Sequence, residues 1–230
     1  MADCQFAFGA GCIIVSVRFC FQLPTSCWNI CAELDVAKTG QPSPHNDISW
    51  RRIAAASKIA AEHLGLLYTD LYQLNVIILR YAAVLSAGSE PPTSVPGRLL
   101  ARLLNGGREG REGREVILDD PFLLWAGREE FVDARDCARA NLHALDAMTP
   151  SQRVYNVATG RSHSLDEFVE AVRFIYPKLR VLPVHEVTTG FAGFPYTRPA
   201  PSDVGAAARE LGFRTMYSLE DTIRYCTETH

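Results

Sequence analysis

The chain has 230 residues, of which 47% are hydrophobic and 21% charged, so it is long enough to bury a sizeable core and has the composition of a globular protein. Its 23 basic and 26 acidic side chains are well mixed and give a net charge of -3, which excludes the strongly basic surface that attracts nucleic acid or anionic membranes. We therefore expect neither a nucleic-acid partner nor a membrane partner.

The N-terminal region is rich in cysteine. Five of the seven cysteines lie within the first 31 residues, but their spacing is not that of a zinc site, and free thiols in a reducing cytoplasm are the favoured interpretation. The apolar stretch 6–21 is interrupted by Arg18 and is shorter than the ~20 residues of a membrane helix. Asp3 stands where a secretory signal would carry positive charge. We therefore predict a cytoplasmic protein without a targeting segment.

The first half of the chain predicts a strand, a helix and a second strand in succession. Residues 12–21 are rich in β-branched and aromatic side chains, as in a buried strand. After a loop over 32–46, apolar residues at helical spacing predict a helix over 50–72 with Ser49 as its N-cap. The run NVIILRY then predicts a strand over 75–81.

The second half includes a low-complexity run. A helix is predicted over 98–104, and the repeated Gly-Arg-Glu unit over 106–115 predicts an exposed, mobile loop because its glycines and alternating charges have nothing to bury. Short strands and helices then alternate, which favours an α/β architecture. We predict strands at 116–118, 130–132 and 154–157, and helices at 134–148, from the capping box Ser164/Glu167, at 202–211 and at 218–227.

Six short runs stand in an order that carries a family resemblance. They are ELDVAKTGQPSP (33–44), AASKIAAE (55–62), VIILRY (76–81), FVDARDCARA (131–140), VYNVATG (154–160), and RPAPSDV (198–204) with ARELGF (208–213). Together they resemble the extended short-chain dehydrogenase/reductase superfamily, in particular its NAD-dependent epimerase/dehydratase family of nucleotide-sugar epimerases. The resemblance covers about residues 33–224.

The resemblance implies a fold and a division into domains. The expected fold is a partial Rossmann-like, doubly wound parallel sheet with a small α/β substrate-binding lobe. Residues 1–32 match poorly, 33–85 would be the remnant of the NAD-binding domain with the catalytic helix, and 86–230 would hold the substrate lobe and the closing strands and helices. The family's glycine-rich pyrophosphate loop has no counterpart, since the pair Gly9 and Gly11 precedes a strand and opens no helix. The chain therefore resembles an N-terminally truncated member.

The catalytic residues of the family are only partly matched. In the family, a tyrosine and a lysine four residues apart face the same way on one helix, and the lysine lowers the pKa of the phenol so that it can act as a base. Lys58 matches the lysine, but Ala54 stands in place of the tyrosine. Ser26 falls near the position of the residue that orients the sugar hydroxyl. Loss of the base implies that catalysis is impaired by ~10²–10⁴-fold or more.

Four residues are implied to bind ligands. By resemblance, NAD would be held by Lys58 and by Tyr81, which ends the strand leading to the nicotinamide. The diphosphate of the nucleotide sugar would be held by Arg198 and Arg128. The lysine and the arginines also have plainer interpretations, as an exposed helix lysine and as surface arginines beside carboxylates. The six histidines show no triad or metal spacing, so no metal site is predicted.

The sequence leaves the function open between several hypotheses. The first is a NAD-dependent epimerase/dehydratase of nucleotide sugars whose catalysis is impaired. The second is a non-catalytic binding or dimerisation module, because the family's Tyr/Lys helix packs between subunits in a four-helix bundle and the helix over 50–72 could keep that homodimer surface. A gene remnant that exposes an apolar edge strand is a third option.

Overall fold

The computed structural model describes residues 5–9, 12–18, 48–87, 92, 94–109, 115–147, 150–194 and 197–229; before Ala56 only the backbone is described. Its elements in chain order are β1 (Gln5–Gly9), β2 (Cys12–Arg18), α1 (Ile48–Tyr72), β3 (Asn75–Tyr81), β4 (Ala83–Leu85), α2 (Val95–Glu109), β5 (Glu115–Leu118), β6 (Glu129–Asp133), α3 (Ala134–Asp146), β7 (Val154–Val157), β8 (Ser162–His163), α4 (Leu165–Arg173), β9 (Arg180–Pro183), α5 (Gly205–Glu210) and α6 (Leu219–Glu228). Among these described residues, no helix has both the length and the apolar character required to cross a lipid bilayer.

The largest sheet of the described residues has four strands in the order β1-β2-β3-β7. β2, β3 and β7 are parallel, while β1 turns back antiparallel to β2. α1 is the crossover between the parallel strands β2 and β3, and both α1 and α3 contact β3. The predicted α/β fold with a partial, doubly wound parallel sheet is therefore confirmed.

β3 forms the centre of this sheet because both of its faces are buried. Val76, Ile77, Ile78 and Leu79 are each at most 1% exposed. Val76 and Ile78 pack with Leu66 of α1 and with Leu74 and Val154, whereas Ile77 and Leu79 join a cluster formed with α3 and α5. A continuous β-branched and leucine run of this kind is typical of a parallel strand covered on both sides. The predicted bounds of this strand are confirmed.

A smaller α/β lobe is built around Trp125. Its ring is 2% exposed and lies 5.7, 5.9 and 5.4 Å from the ring centroids of Phe131, Phe168 and Phe191. The indole Nε1 donates a hydrogen bond to the carbonyl oxygen of His163 at 3.2 Å. The sheets β4-β6-β8 and β5-β9, together with α2, α4 and α6, surround this core. This is the small lobe that the sequence predicts beside the parallel sheet.

Polar caps begin three of the helices. Ser164 Oγ accepts a hydrogen bond from Glu167 N at 3.2 Å and Glu167 Oε2 accepts one from Ser164 N at 3.1 Å, so the predicted capping box is confirmed. Ser218 and Asp221 form the same arrangement at α6. Asp133 caps α3, where its Oδ1 accepts a backbone hydrogen bond at 2.7 Å. Asp133 is therefore a structural residue of the helix start.

Several helix boundaries differ from the sequence-based expectation: α2 begins earlier, at Val95, α3 ends at Asp146, and the helix predicted at 202–211 is the shorter α5, Gly205–Glu210. α2 continues through the first four residues of the predicted 106–115 loop and ends at Glu109, and the five residues after Glu109 lie outside the described part of the chain. α1 begins at Ile48, so Ser49 lies within the helix and not at its N-cap. The loop was predicted from composition alone. Composition does not show where a glycine allows a helix to pack closely against its neighbours.

Two glycines explain why α2 runs into the low-complexity segment. A Cβ on Gly106 would lie 2.0 Å from Val116 on β5, and a Cβ on Gly107 would lie 2.5 Å from the ring of Tyr176. Both glycines are half-buried. The absence of a side chain therefore allows this end of α2 to contact its neighbours, which offsets the low helix propensity of glycine.

Glu210 fastens the end of α5 to the segment before β7. Its carboxylate accepts hydrogen bonds from the backbone N–H groups of Ser151 and Gln152 at 2.7 and 3.0 Å, and from Ser151 Oγ at 2.8 Å. The hydroxyl of Tyr155 donates another at 2.7 Å. The hydrogen bonds from Tyr155 and Ser151 lower the pKa of Glu210 to about 2. Burial, followed by the contact with Glu210, raises the pKa of Tyr155.

Glu210→Gln is expected to lower the melting temperature near neutral pH, because an amide accepts these hydrogen bonds less strongly than a carboxylate. The pKa of Glu210 is lowered on folding from 4.5 to about 2, so its contribution to stability is present above pH 4.5 and is lost as the pH falls towards 2. Thermal unfolding followed by circular dichroism at several pH values measures this difference. The exposed Glu186, changed to glutamine, is the control. Equal melting temperatures of wild type and Glu210→Gln near pH 7 would contradict the prediction.

Candidate active site

α1 turns charged side chains inward and apolar side chains outward. Lys58, Glu62 and Gly65 are buried on this helix, which packs against β2 and β3. Gly65 permits the close approach, since a Cβ there would lie 3.3 Å from Val76 on β3. A surface helix normally buries its apolar stripe, and lysine and glutamate are rarely buried without a partner. The buried charges of α1 therefore require an explanation beyond packing.

Lys58 is the buried cation for which the described residues offer no partner. Lys58 is 7% exposed, and its Nζ makes no hydrogen bond with any described residue. An ammonium group carries three donors, and burying it unpaired costs free energy. The interpretation of Lys58 as an exposed helix lysine is therefore wrong. A ligand with hydroxyl acceptors would satisfy this group.

Glu62, one turn beyond Lys58, binds Arg80 on β3. Arg80 Nε donates to Glu62 Oε2 at 2.9 Å, and Arg80 Nη2 binds the other carboxylate oxygen. This bidentate ion pair connects α1 to β3 close to the carboxyl end of the strand. Lys58 is thereby held on the helix that borders the carboxyl ends of the parallel strands, where sheets of this type bind ligands.

Ala54 lies on α1 one turn before Lys58, on the same face of the helix. An alanine side chain has no titratable group, so the position that the resemblance assigns to the base cannot exchange a proton. Ser26, the candidate for orienting a sugar hydroxyl, lies outside the described residues.

Tyr81 ends β3 on the face of the sheet opposite α1. It is 6% exposed, and its hydroxyl accepts a hydrogen bond from Asn141 Nδ2 at 2.8 Å. Its neighbours on this face are Ile77 and Leu79, whose side chains pack towards α3. The structure therefore does not bring the Tyr81 side chain together with Lys58. Its role in binding NAD stays a prediction.

Arg198 is buried between two consecutive glutamates of β6. Its side chain is 3% exposed, and those of Glu129 and Glu130 are 1% and 0% exposed. Arg198 Nε and Nη2 donate to Glu129 Oε1 at 2.9 and 2.6 Å, and Nη1 lies 3.5 Å from Glu130 Oε2. Arg198 is therefore not a surface arginine. Contact with a substrate diphosphate would require displacing Glu129.

The carboxylates beside Arg198 differ in their hydrogen bonds. Burial raises the pKa of the Glu129 carboxyl, and the attraction of Arg198 opposes this effect. Glu130 Oε2 accepts hydrogen bonds from the N–H and the hydroxyl of Ser202. Glu130 Oε1 is buried without a partner among the described residues. This cluster joins β6 to the segment that precedes α5.

Arg128 is the more accessible of the two predicted diphosphate ligands. Its side chain is 49% exposed, and its Nη2 donates to the carbonyl oxygen of Ser162 at 2.6 Å and to Glu167 Oε2 at 2.5 Å. The hydrogen bond from Arg128 lowers the pKa of Glu167. Arg128, Arg161 and Glu220 line an open pocket of about 680 Å³ beside α4. The structure places Arg128 on the outer surface of the small lobe, and its binding role stays a prediction.

Comparison with known proteins identifies the family. The sequence profile of the NAD dependent epimerase/dehydratase family matches residues 43–158, just over half of the chain. The match includes α1 with Lys58, the strand β3 and the last parallel strand β7. The chain belongs to this family.

A curated member of similar sequence is the ADP-L-glycero-D-manno-heptose-6-epimerase of Alkalilimnicola ehrlichii. It is 29% identical over 162 residues, which are 68% of this chain and 49% of that protein. The chain therefore spans about half the length of this curated relative.

Solved structures show the same fold. RMD from Pseudomonas aeruginosa, in complex with NADPH, superposes with a TM-score of 0.65 at 17% identity, over 95% of this chain and 66% of that one. UDP-glucose 4-epimerase from Thermotoga maritima, with UDP-glucose, gives a TM-score of 0.55 at 22% identity, over 77% of this chain and 52% of that one. At these identities the likeness establishes the fold alone.

Two ion pairs of this epimerase/dehydratase family chain were not foreseen from its sequence. Glu62 follows Lys58 by four residues, and this spacing could have indicated a second charge on the buried face. Glu129 and Arg198 are separated by 69 residues, so no local pattern could pair them. Within the described ranges, His, Cys, Asp and Glu side chains form no group of three or more that could hold a metal ion.

Proposed function

We propose that this chain supplies the lysine helix and the substrate lobe of a NAD-dependent epimerase/dehydratase that acts on nucleotide sugars, and that its catalysis is impaired. The observation that carries the proposal is the buried Nζ of Lys58, which has no hydrogen-bond partner among the described residues. A site that keeps an ammonium group dry and unpaired in the described structure fits a ligand that brings its own acceptors.

The ribose of NAD offers hydroxyl acceptors, which Lys58 lacks among the described residues, so Lys58 fits this part of the cofactor. When bound, NAD supplies a nicotinamide ring that accepts and returns hydride. Lys58 would hold the ribose, and the Glu62–Arg80 pair would keep α1, and with it Lys58, at the carboxyl end of β3. Ala54 would leave the proton of the sugar hydroxyl without an acceptor on this helix. Support for a nucleotide sugar as substrate comes from the family and from the named activities of its relatives.

Cofactor binding can be tested by titrating the purified chain with NAD while following its tryptophan fluorescence. Saturable binding is expected, because ligand binding would satisfy the Lys58 ammonium. The same titration with adenosine, which lacks the nicotinamide ribose, is expected to give a much weaker signal. Absence of saturation with NAD at millimolar concentrations would contradict the proposal for the unmodified chain.

A second function, as a dimerisation module, is supported by the outer face of α1. Five large apolar side chains on the C-terminal half of this helix are 46–63% exposed: Leu64, Leu67, Tyr68, Leu71 and Tyr72. Their spacing follows the helical repeat, so they form one apolar stripe. Exposed apolar patches of this kind mark protein interfaces. We propose that two copies of the chain pair through this stripe.

Introducing charge into the stripe is expected to separate the proposed dimer. The double variant Leu67→Glu/Leu71→Glu places two carboxylates on positions that are 46% and 63% exposed, so folding should be unaffected while association is lost. Light scattering coupled to size-exclusion chromatography measures the mass of wild type and variant. The control is Leu142→Glu on α3, where the leucine is 61% exposed. A monomeric wild type would contradict the dimer.

We further propose a cytoplasmic location. Cys226 is a buried free thiol in the structure, as expected in a reducing compartment. Burial raises the pKa of the Cys226 thiol to about 11, so this sulfur stays protonated and unreactive at neutral pH.

A further inference from the structure

We infer that the buried cluster of Glu129, Arg198 and Glu130 binds one proton at neutral pH, and that this proton makes the attachment of the 198–202 segment to β6 dependent on pH. The inference does not depend on the cofactor or the substrate, since it concerns charges inside the protein. Two observations support it: the number of charged side chains buried in the cluster, and the hydrogen bonds that each carboxylate oxygen accepts.

The charge count leaves one carboxylate in excess. The three side chains are at most 3% exposed, and two carboxylates face a single guanidinium. If all three were ionised, the cluster would carry a net negative charge away from water, which is strongly unfavourable. Taking up one proton makes the cluster neutral.

Among the described residues, Arg198 is the cation that pairs with Glu129 and Glu130. On α3, which also contacts β6, Arg135 pairs with Asp133 and Arg139 with Asp136. On the neighbouring strand β8, His163 is in register with Glu129, but burial lowers the pKa of its imidazole, which favours the neutral ring. β4, on the other side of β6, contributes apolar residues only. Arg128, the preceding residue of the chain, binds Ser162 and Glu167 instead.

The hydrogen bonds show how the proton can be accommodated. Glu129 Oε1 accepts three hydrogen bonds, two from Arg198 and one from the N–H of Glu130 at 2.8 Å. Glu130 Oε1 has no partner among the described residues, and Oε2 lies within hydrogen-bond distance of Ser202 Oγ. Burial raises the pKa of the Glu129 carboxyl, and an un-ionised acid in the cluster costs less to bury than a second negative charge. Because the carboxyls interact closely, the proton belongs to the pair.

The attachment of the 198–202 segment then depends on this proton. Ser202 binds Glu130 through its N–H and hydroxyl, and the next residue accepts a hydrogen bond from Asn156 Nδ2 at 2.9 Å through the carbonyl oxygen of Asp203. Asn156 lies on β7, so the segment bridges the small lobe and the parallel sheet. Loss of the proton at higher pH adds an uncompensated charge beneath this bridge.

The sign of the pH effect follows from linkage. A carboxyl that stays protonated in the folded protein but ionises in the unfolded chain favours folding at acidic pH, and this contribution is lost as the pH rises through the folded-state titration. For one proton, the unfolding equilibrium constant rises by up to about tenfold per pH unit in that window.

Glu130→Gln tests the inference, because it removes one of the two carboxylates and leaves Arg198 facing a single one. Urea unfolding at a series of pH values should show the rise for wild type and a slope smaller by about one proton for Glu130→Gln. Glu170→Gln, which removes an exposed carboxylate paired with Arg173 on α4, should keep the wild-type slope. Equal slopes for wild type and Glu130→Gln would overturn the inference.

Infrared spectroscopy of the wild type provides a test that does not need a folded variant. An un-ionised carboxyl has a carbonyl stretch distinct from the bands of carboxylates and amides. Near neutral pH all exposed carboxyls are ionised, so a remaining band of this kind reports a buried acid. Its presence supports the inference, and its absence in the folded protein at neutral pH would refute it.

Discussion

Ala54→Tyr is expected to increase the turnover of UDP- or GDP-sugars, measured with added NAD, by ~10²–10⁴-fold over the unmodified chain, which is the usual contribution of a positioned general base. Residues 54 and 58 lie one turn apart on the same face of α1, so a phenol introduced at 54 would lie beside the ammonium of Lys58. A neighbouring positive charge lowers the pKa of a phenol from about 10 and makes the phenolate available. Product analysis by chromatography measures the change.

Two comparisons show whether the gain comes from the hydroxyl. Ala54→Phe introduces the same ring without the titratable group, and it should leave turnover at the wild-type level. Ala54→Tyr combined with Lys58→Met should lose most of the gain, because the phenol would then keep a pKa near 10. Turnover by the unmodified chain at a rate equal to that of Ala54→Tyr would show that catalysis does not require this position.

Lys58→Met is expected to stabilise the fold while abolishing NAD binding. The Nζ of Lys58 is buried without a partner among the described residues, and replacing such a group by an apolar side chain of similar shape removes an unsatisfied donor worth about 1–3 kcal/mol. For a chain of this length, each 1 kcal/mol corresponds to about 2–4 °C in melting temperature. Thermal unfolding and the NAD titration, carried out on the same protein, measure the two effects.

Opposite signs of these two effects distinguish a binding lysine from a packing lysine. Lys178→Met, at an exposed position, serves as the control and should change neither stability nor NAD binding appreciably. If Lys58→Met lowers the melting temperature, the ammonium has an internal partner in the folded protein. If it raises the melting temperature and leaves NAD binding intact, the buried lysine is not part of a cofactor site.

Local patterns were sufficient for several elements of the fold. The run NVIILRY is apolar on both faces, and only a strand covered on two sides accounts for that, so β3 was found with its correct bounds. β7 was also found with its bounds, and α4 was located from a serine followed three residues later by a glutamate. In each case the signal and the structure that it specifies lie within a few residues of one another.

The parts of the site that sequence could not predict depend on distant contacts. Apolar spacing predicted the helix α1 but not which side of it would be covered: Leu67 and Leu71 are exposed and Lys58 is buried, because the neighbours of the helix decide this. Arg198 was expected either to bind a diphosphate or to lie at the surface beside a carboxylate. Its partner Glu129 lies 69 residues away and is brought to it only when β6 pairs with its neighbours.

Two copies of the repeated Gly-Arg-Glu tripeptide end in different secondary structures, one in a helix and one in a strand. The first Gly-Arg-Glu unit, 107–109, closes α2, whereas the last unit ends on Glu115, which opens β5 and forms an ion pair with Arg180 on β9. Both ends of the tract are thus anchored by tertiary contacts. A gain or loss of one unit, the kind of change to which repetitive coding sequence is prone, would have to be absorbed between these anchors. Lengthening a connection by three residues costs only a few tenths of a kcal/mol in closure entropy, so descendants of this gene can differ in repeat number while keeping the same lobe.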